Sequence, residues 1–362
     1  MAPYVNGNHT SHLFEMRARV MKLDSNESTV DPSPRVVSAL AEFIHQSPLN
    51  WYPDIESVKL REALSEYTSA PIDCIQTFNG SDNALETICR TYLQKGDEVV
   101  LCMPAYDHFR LYAESCDATL VPVFGETPFA SKPKELVNAV TPRTKMIYIV
   151  NPNNPTGLLY SEDEIRFVLE ACPEVLVLVD EAYFEFCKVT VVPLTKEYPN
   201  LIVTRSFSKA FGLAGIRCGY VVTNPNNLQV INKVRVGKNI NSLAQVAARA
   251  ALEDMEHISR FVTEVKVAKG WLKDKLSGLG LEVVETPANF VLVRVAEPQQ
   301  VKKFLEEKLV YVRDRSSIPQ MEGFLRITIG HQHLMERFWK VFQTTPANYL
   351  YAEGMPRSVL VS

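Results

Sequence analysis

The sequence lacks long apolar runs, an excess of basic residues and closely paired cysteines. No stretch of its 362 residues approaches the roughly 18 uninterrupted apolar residues of a membrane-spanning helix. The formal net charge is −4, with 38 basic and 42 acidic side chains, which leaves no electrostatic footprint for nucleic acid or an anionic membrane surface. We therefore expect no nucleic-acid and no membrane partner, and favour a globular protein that acts on small molecules.

The seven cysteines are scattered and form no Cys-x-x-Cys pair. An odd, dispersed set in apolar surroundings predicts buried free thiols in a reducing compartment. Residues 1–14 are polar and show no basic segment followed by an apolar core, so no secretory signal is predicted and we expect a cytoplasmic protein. No metal site is predicted, because His331 and His333 have no third ligand nearby.

Apolar strands alternate with amphipathic helices through the middle of the chain. This alternation predicts an α/β fold with a mostly parallel sheet and helices on both faces, and the run at 175–179 is apolar throughout, as in a strand buried on both sides. A smaller α+β unit follows. The pattern divides the chain into an N-terminal arm (1–35), a large domain (36–245), a small domain (246–343) and a tail (344–362).

Polar residues follow the predicted strand ends. Tyr106, Asn154, Asp180 and Lys209 each come directly after a different strand. Because ligands of parallel sheets bind beyond the carboxyl ends of the strands, these side chains are expected in one cleft. Another strand runs into 80–82 at the start of a helix, where free backbone N–H groups suit an anion.

The stretch at 206–217 places a lysine among groups that suit a phosphate. Lys209 lies between Ser206 and Ser208, and Arg217 follows eight positions later. A lysine amine is a covalent catalyst for carbonyl compounds, while hydroxyls and an arginine hold phosphate strongly. Taken alone, the stretch is equally compatible with a solvated lysine in a loop. The convergence of the other strand-end residues favours the catalytic interpretation.

Three motifs resemble those of the fold-type I pyridoxal-phosphate enzymes, and among them the class I/II aminotransferases. They are NPNNPTG at 151–157, DEAY at 180–183 and SFSKAFGLAGIR at 206–217. Further segments make the chain most similar to the histidinol-phosphate aminotransferase family over about 23–340, among them LDSNES at 23–28, WYPD at 51–54, PANFVLVR at 287–294 and FLRITIG at 324–330.

The resemblance implies how pyridoxal phosphate would be bound. Lys209 would form the Schiff base and move the proton during transfer, while Asp180 would pair with the ring nitrogen. Tyr183 and Asn154 would bond the phenolic oxygen, and Tyr106 would stack on the ring. The phosphate would be surrounded by Ser81, Asp82, Ser206, Ser208 and Arg217. Lys209, Asp180 and Tyr183 are thus the candidate catalytic residues.

The resemblance also implies substrate contacts and a homodimer. Arg326 would bind the substrate carboxylate, Arg313 would help to recognise a phosphate, and Tyr52 would reach into the site of the neighbouring subunit. The implied reaction passes an amino group from histidinol phosphate or a related amine to 2-oxoglutarate. For Tyr52 and Tyr106 the alternative is plain packing, for Arg313 a surface ion pair, and for Ser208 a hydrogen bond within the lysine loop.

Departures from the family pattern lie near the rim of the expected site. The chain has Gly-Lys-Asn at 237–239 where the family usually has Pro-Tyr-Asn, and Asn-Glu-Ser-Thr at 26–29 where Asn-Glu-Asn-Pro is usual. The donor is therefore left open. Alternatives with the same cofactor are a decarboxylase or side-chain cyclase of a specialised amino acid, and, from another class, a cofactor-binding regulator.

Overall fold

The computed structural model describes Met16 and residues 19–47 and 49–352. Most of the first half of the predicted arm, and residues 353–362 of the predicted tail, lie outside the described residues. The domain boundaries at 35, 245 and 343 remain predictions. In the described part of the chain, no helix is long and apolar enough to cross a membrane.

The strands of the described residues form two sheets. The first has seven strands in the order β2-β8-β7-β6-β5-β3-β4, parallel except for the pairs that β8 makes with β2 and β7. Its strands are β2 (Ile75–Phe78), β3 (Glu98–Cys102), β4 (Thr119–Val123), β5 (Thr144–Val150), β6 (Leu176–Asp180), β7 (Leu201–Ser206) and β8 (Gly219–Thr223). The predicted mostly parallel sheet is therefore confirmed.

The second sheet has five strands in the order β1-β11-β12-β10-β9, and is antiparallel except for the parallel pair of β1 with β11. Its strands are β1 (Met21–Leu23), β9 (Val283–Glu285), β10 (Phe290–Arg294), β11 (Val310–Asp314) and β12 (Phe324–Thr328). Through β1, residues 21–23 join a sheet whose other strands lie far along the sequence.

Helices pack on both faces of the first sheet, and further helices pack on the second. They are α1 (Pro34–Gln46), α2 (Val58–Thr68), α3 (Gly80–Tyr92), α4 (Asp107–Ser115), α5 (Pro133–Asn138), α6 (Glu162–Ala171), α7 (Phe184–Cys187), α8 (Pro225–Val234), α9 (Ser242–Leu252), α10 (Met255–Gly278), α11 (Pro298–Glu306), α12 (Gln332–Phe342) and α13 (Ala347–Leu350). Two apolar clusters, one on each face, fill the space between the first sheet and its helices. A third packs α10 and α12 on the second sheet.

Local sequence signals account for several helix ends. Ser161 and Glu164 form a reciprocal capping box at the start of α6. His331, considered above as a metal ligand, instead accepts a hydrogen bond from the Leu334 backbone and caps α12. All seven cysteines are free, but the prediction of burial is wrong for Cys102, Cys116 and Cys187, which are partly exposed.

Candidate active site

A cavity of about 340 Å³ opens beyond the carboxyl ends of β5, β6 and β7. Because these strands are parallel neighbours, the residues that follow them are delivered to one edge of the sheet. All ten residues expected to bind the cofactor line this cavity. They are Ser81, Asp82, Tyr106, Asn154, Asp180, Tyr183, Ser206, Ser208, Lys209 and Arg217.

Asp180, the last residue of β6, presents a buried acceptor to the cavity. Its Oδ2 accepts a hydrogen bond of 3.2 Å from the Tyr148 hydroxyl, whereas its Oδ1 has no hydrogen-bond partner among the described residues. Burial, followed by the nearby Asp82 carboxylate, raises the pKa of Asp180 to about 6. A buried acceptor of this kind is satisfied by a ligand that brings an N–H donor.

A phosphate-sized group would be held where α3 begins. Arg217 donates to the Ser208 hydroxyl at 3.3 Å and to the Asp82 carboxylate at 3.1 Å. Its backbone lies in the left-handed region, with φ of 59°, a conformation that costs a residue other than glycine some strain. Gly219 packs so closely on the turn that a β-carbon there would lie 2.4 Å from the Ser81 nitrogen.

Tyr106 stands at the N-terminal end of α4, against the same carboxylate. Its hydroxyl donates to Asp82 at 2.8 Å, and the His108 ring nitrogen Nδ1 also lies 2.8 Å away. Burial, reinforced by the Asp82 charge, raises the pKa of Tyr106, so its hydroxyl stays protonated. The ring therefore forms a fixed wall of the cavity.

Lys209 reaches across the cavity from the loop after β7. Its Nζ donates to the Ser25 carbonyl oxygen at 3.0 Å and lies 5.8 Å from the centre of the Tyr183 ring. The lysine thus faces Asp180 and Tyr183 from the side of the N-terminal loop, where an aldehyde carbon could meet its amine.

Asn154 and Tyr183 both have an N–H or O–H group left to donate. Asn154 Oδ1 accepts from Arg326 at 2.5 Å, so its amide nitrogen faces the other way. The Tyr183 hydroxyl accepts from the Asn26 amide nitrogen at 3.0 Å, which leaves its own proton to donate. Two donors near one place suit an anionic oxygen of a ligand.

The three predicted substrate residues lie outside the set that lines the cavity. Arg326 is buried on β12, donates to the Asp24 carbonyl oxygen at 2.6 Å and touches the site through Asn154. Arg313 lies directly opposite it on β11. Tyr52 is 77% exposed, and the Lys238 ammonium sits 3.5 Å from the centre of its ring.

The loop of residues 24–28 forms part of the cavity itself, whereas the sequence predicts only that 26–29 lies near the rim. Ser25 and Glu27 line the cavity, and Asn26 contacts Tyr183. Nothing local in the motif at 23–28 signals the contact of Ser25 with Lys209, which lies 184 residues away. Tyr148, the partner of Asp180, lies within an apolar strand, and the sequence alone does not single it out.

The side chains present fit pyridoxal phosphate. The unpartnered Oδ1 of Asp180 suits its ring nitrogen, the start of α3 with Arg217 suits its phosphate, and Lys209 supplies an amine for its aldehyde. Each need of the cofactor is met by a different strand end or loop around one cavity.

Comparisons with known proteins agree with this chemistry. A family model described as aminotransferase class I and II matches residues 18–342. The chain is 40% identical over 320 residues to histidinol-phosphate aminotransferase of Ruminiclostridium cellulolyticum, covering 86% of this chain and 88% of the relative. It is 35% identical over 325 residues to a dihydroxyacetone phosphate transaminase of Campylobacter jejuni, covering 88% of each.

A solved structure of similar fold contains the cofactor itself. Histidinol-phosphate aminotransferase from Sinorhizobium meliloti in complex with pyridoxal-5'-phosphate superimposes with a TM-score of 0.85 at 23% identity, over 95% of this chain and 96% of that one. The fold-type I architecture expected from the sequence is confirmed. The chain belongs to the class I and II aminotransferases and is a pyridoxal-phosphate-dependent enzyme.

Proposed function

We propose that the chain transfers an amino group between a phosphate-bearing amine of the histidinol phosphate type and 2-oxoglutarate. The observation that carries this proposal is the cavity in which Lys209 faces the buried acceptor of Asp180 beside the Arg217 clamp. When bound there, pyridoxal phosphate supplies a ring that accepts electrons from the substrate carbon that bears the amine.

The residues around the cavity divide the work of binding and proton transfer. Asp180, as a carboxylate, would hold a proton on the ring nitrogen, and Asn154 and Tyr183 would donate to the phenolic oxygen. Arg217, with Ser208 and the backbone N–H groups of Ser81 and Asp82, would hold the phosphate. Lys209 Nζ would supply the amine for the aldehyde and, once free, the base that takes the proton from the substrate carbon.

Two arginines support a substrate with a multiply charged anion. Arg313 and Arg326 are directly opposite each other on neighbouring antiparallel strands, so their side chains leave the same face of the sheet. An anion bound beside both guanidinium groups would offset the repulsion between two like charges in that position. A phosphate of the donor, and in turn a carboxylate of the keto acid, would supply that anion.

A homodimer would complete the site. Trp51 (73% exposed), Tyr52 (77%) and Val236 (67%) are exposed apolar side chains, and a hydrogen bond from Arg235 to the Ile55 carbonyl oxygen joins the two segments that carry them. Since Tyr52 does not line the cavity of its own chain, we propose that it reaches that of a second copy.

A panel of donors read by cofactor absorbance tests the proposal. Histidinol phosphate, phenylalanine, tyrosine and arginine are each added to the holoenzyme, and the amine-bearing form of the cofactor is followed with and without 2-oxoglutarate. We expect histidinol phosphate to convert the cofactor, and 2-oxoglutarate to convert it back. A product that forms equally well without 2-oxoglutarate would instead indicate a decarboxylase or cyclase, and no spectral change with any donor would refute amino transfer.

Subunit mixing tests the placement of Tyr52. Lys209→Ala and Tyr52→Ala variants are inactive or impaired alone, but a mixed dimer restores one complete site if Tyr52 acts across the interface. Unfolding and refolding the two together should then recover about a quarter of the wild-type activity, as random pairing requires. No recovery would place Tyr52 in the site of its own subunit, and full activity of Tyr52→Ala alone would place it outside any site.

A further inference from the structure

Asn26 is held in a single orientation between the second sheet and the cavity. It is fully buried in the loop after β1 and adopts φ of 54°, a left-handed conformation that asparagine tolerates better than most residues. Its backbone nitrogen donates to the Thr328 hydroxyl at 3.0 Å, and its carbonyl oxygen accepts from the Asn289 amide at 3.2 Å. Backbone contacts therefore fix where its side chain begins.

The Thr328 hydroxyl also decides which end of the Asn26 amide faces Tyr183. That hydroxyl accepts from the Asn26 backbone nitrogen, and it donates its own proton to Asn26 Oδ1 at 3.2 Å. With the amide turned round, Thr328 would meet two N–H donors and its proton would lose this acceptor. The amide nitrogen, which can only donate, is thus directed at the Tyr183 hydroxyl, 3.0 Å away.

A donor on the Tyr183 oxygen determines where the phenol proton goes. Because the oxygen accepts from Asn26, its proton cannot point back along that bond, and no other acceptor for it occurs among the described residues. Tyr183 lines the cavity, so the remaining direction is towards a bound ligand. We propose that Asn26 is a positioning residue that aims the Tyr183 proton at the phenolic oxygen of the cofactor.

The inference rests on the proposed role of Tyr183 and adds a structural consequence. Thr328 ends β12 and Asn289 precedes β10, so both residues that hold Asn26 belong to the second sheet, whereas Tyr183 follows β6 of the first. The second sheet therefore fixes the direction of the Tyr183 proton through the side-chain amide of Asn26.

The pH midpoint of the visible absorption band of the bound cofactor measures this effect. A proton donated to the phenolic oxygen stabilises its anionic form and lowers the midpoint. Asn26→Asp keeps the shape and the left-handed backbone but replaces the donor by an acceptor, so the phenol proton turns away from the cofactor. We expect the midpoint to rise by about 0.5 to 1 pH unit, the value of one hydrogen bond.

A double variant separates proton direction from added charge. In a Tyr183→Phe background, Asn26→Asp can act only through its charge, and its shift should fall to less than half. Asn26→Gly, which keeps the backbone without adding charge, should raise the midpoint by a smaller amount. Equal shifts in both backgrounds, or none with Asn26→Asp, would overturn the inference.

The same measurements keep the two proposals apart. If the wild-type protein gave no visible band with pyridoxal phosphate, or if Tyr183→Phe left the midpoint unchanged, the proposed roles of the cavity residues would fail. If Tyr183→Phe raised the midpoint and Asn26→Asp did not, only the role of Asn26 would fail. Thermal melting of each variant shows whether it is folded before its spectrum is compared.

Discussion

A β-carbon on Gly80 would lie 2.6 Å from Nη2 of Arg217, so the guanidinium occupies the space that the missing side chain leaves. Gly80 also adopts φ of 82°, which glycine alone takes without strain. The first residue of α3 and the arginine of the proposed phosphate clamp are therefore matched in shape, and the position of that arginine depends on a residue that has no side chain of its own.

Gly80→Ala should weaken cofactor binding more than it weakens the fold. The guanidinium lies at the end of a flexible side chain and can move, but it then leaves the position from which it would hold a phosphate. We expect the Kd for pyridoxal phosphate to rise by about 10-fold to 100-fold, the range for hydrogen bonds to a charged group. Titration of the apoprotein, followed by tyrosine and tryptophan fluorescence, measures this Kd.

Gly96→Ala is the matched control for that experiment. Gly96 has a similar φ of 92°, but a β-carbon there would meet nothing within 4 Å. Both substitutions carry the backbone strain of a positive φ, about 1 to 2 kcal/mol, and only Gly80→Ala displaces Arg217. Equal losses of affinity in the two variants would contradict the role assigned to the guanidinium.

Asp180→Asn should stabilise the cofactor-free protein at neutral pH while weakening cofactor binding. The pKa of Asp180 is raised from 3.8 to about 6, so the folded state favours the protonated carboxyl. That contribution to stability is fully present below pH 3.8 and is lost as the pH rises through 6. As the pH rises from below 3.8 to above 6, the free energy of unfolding of the asparagine variant should increase by about 2 to 3 kcal/mol relative to that of the wild type.

Urea unfolding of both apoproteins at pH 4 and pH 8 measures that gain, provided that each transition is two-state. With pyridoxal phosphate present, the wild type should be the more stable of the two proteins at pH 8, because its carboxylate then gains a protonated ring nitrogen as partner. A stability difference that does not change with pH would show that burial of the Asp180 charge is not its source.

The residues of the site that could be predicted from the sequence are those that parallel strands deliver. Asp180 and Lys209 follow apolar runs, and the geometry of a parallel sheet brings such positions together without further information. The Asn26 loop could not be found in this way. It reaches the site because β1 pairs with β11. That pairing places Lys22 beside Tyr311, two residues that are far apart in the sequence, and neither segment carries a local signal of it.

The buried ion pair behind the cavity should contribute far more to stability than an exposed one. Arg205 and Glu181 are 2.9 Å apart, each nearly or fully buried, and Thr190 bonds both. Arg205→Leu leaves the Glu181 charge uncompensated in the interior, for which we expect a loss of about 3 to 5 kcal/mol. Because Glu181 adjoins Asp180, cofactor occupancy should fall as well.

Arg166→Leu provides the comparison for that variant. Arg166 pairs with Glu197 at 2.7 Å, a shorter distance, but both side chains are substantially exposed. Its loss should therefore lower the free energy of unfolding far less than the loss of Arg205 does, because solvent screens an exposed pair. Denaturant unfolding of the two variants side by side decides the matter, and similar losses would mean that distance rather than burial governs these pairs.

Arg326 and Arg313 are proposed to bind different groups of the substrates, and their variants should therefore differ in KM. Arg326 donates to Asn154 beside the cavity, whereas Arg313 lies one strand further out and is partly exposed. Arg326→Lys removes a planar, bidentate donor and should raise KM for both 2-oxoglutarate and the amine by about 10-fold or more.

Arg313→Leu should raise KM for a phosphate-bearing amine and leave that for 2-oxoglutarate within about 2-fold, because one residual charge suffices for a carboxylate. Steady-state kinetics with histidinol phosphate and with an amine that has no phosphate distinguish the cases. If Arg313→Leu raised KM equally for both amines, the paired arginines would not be a phosphate site.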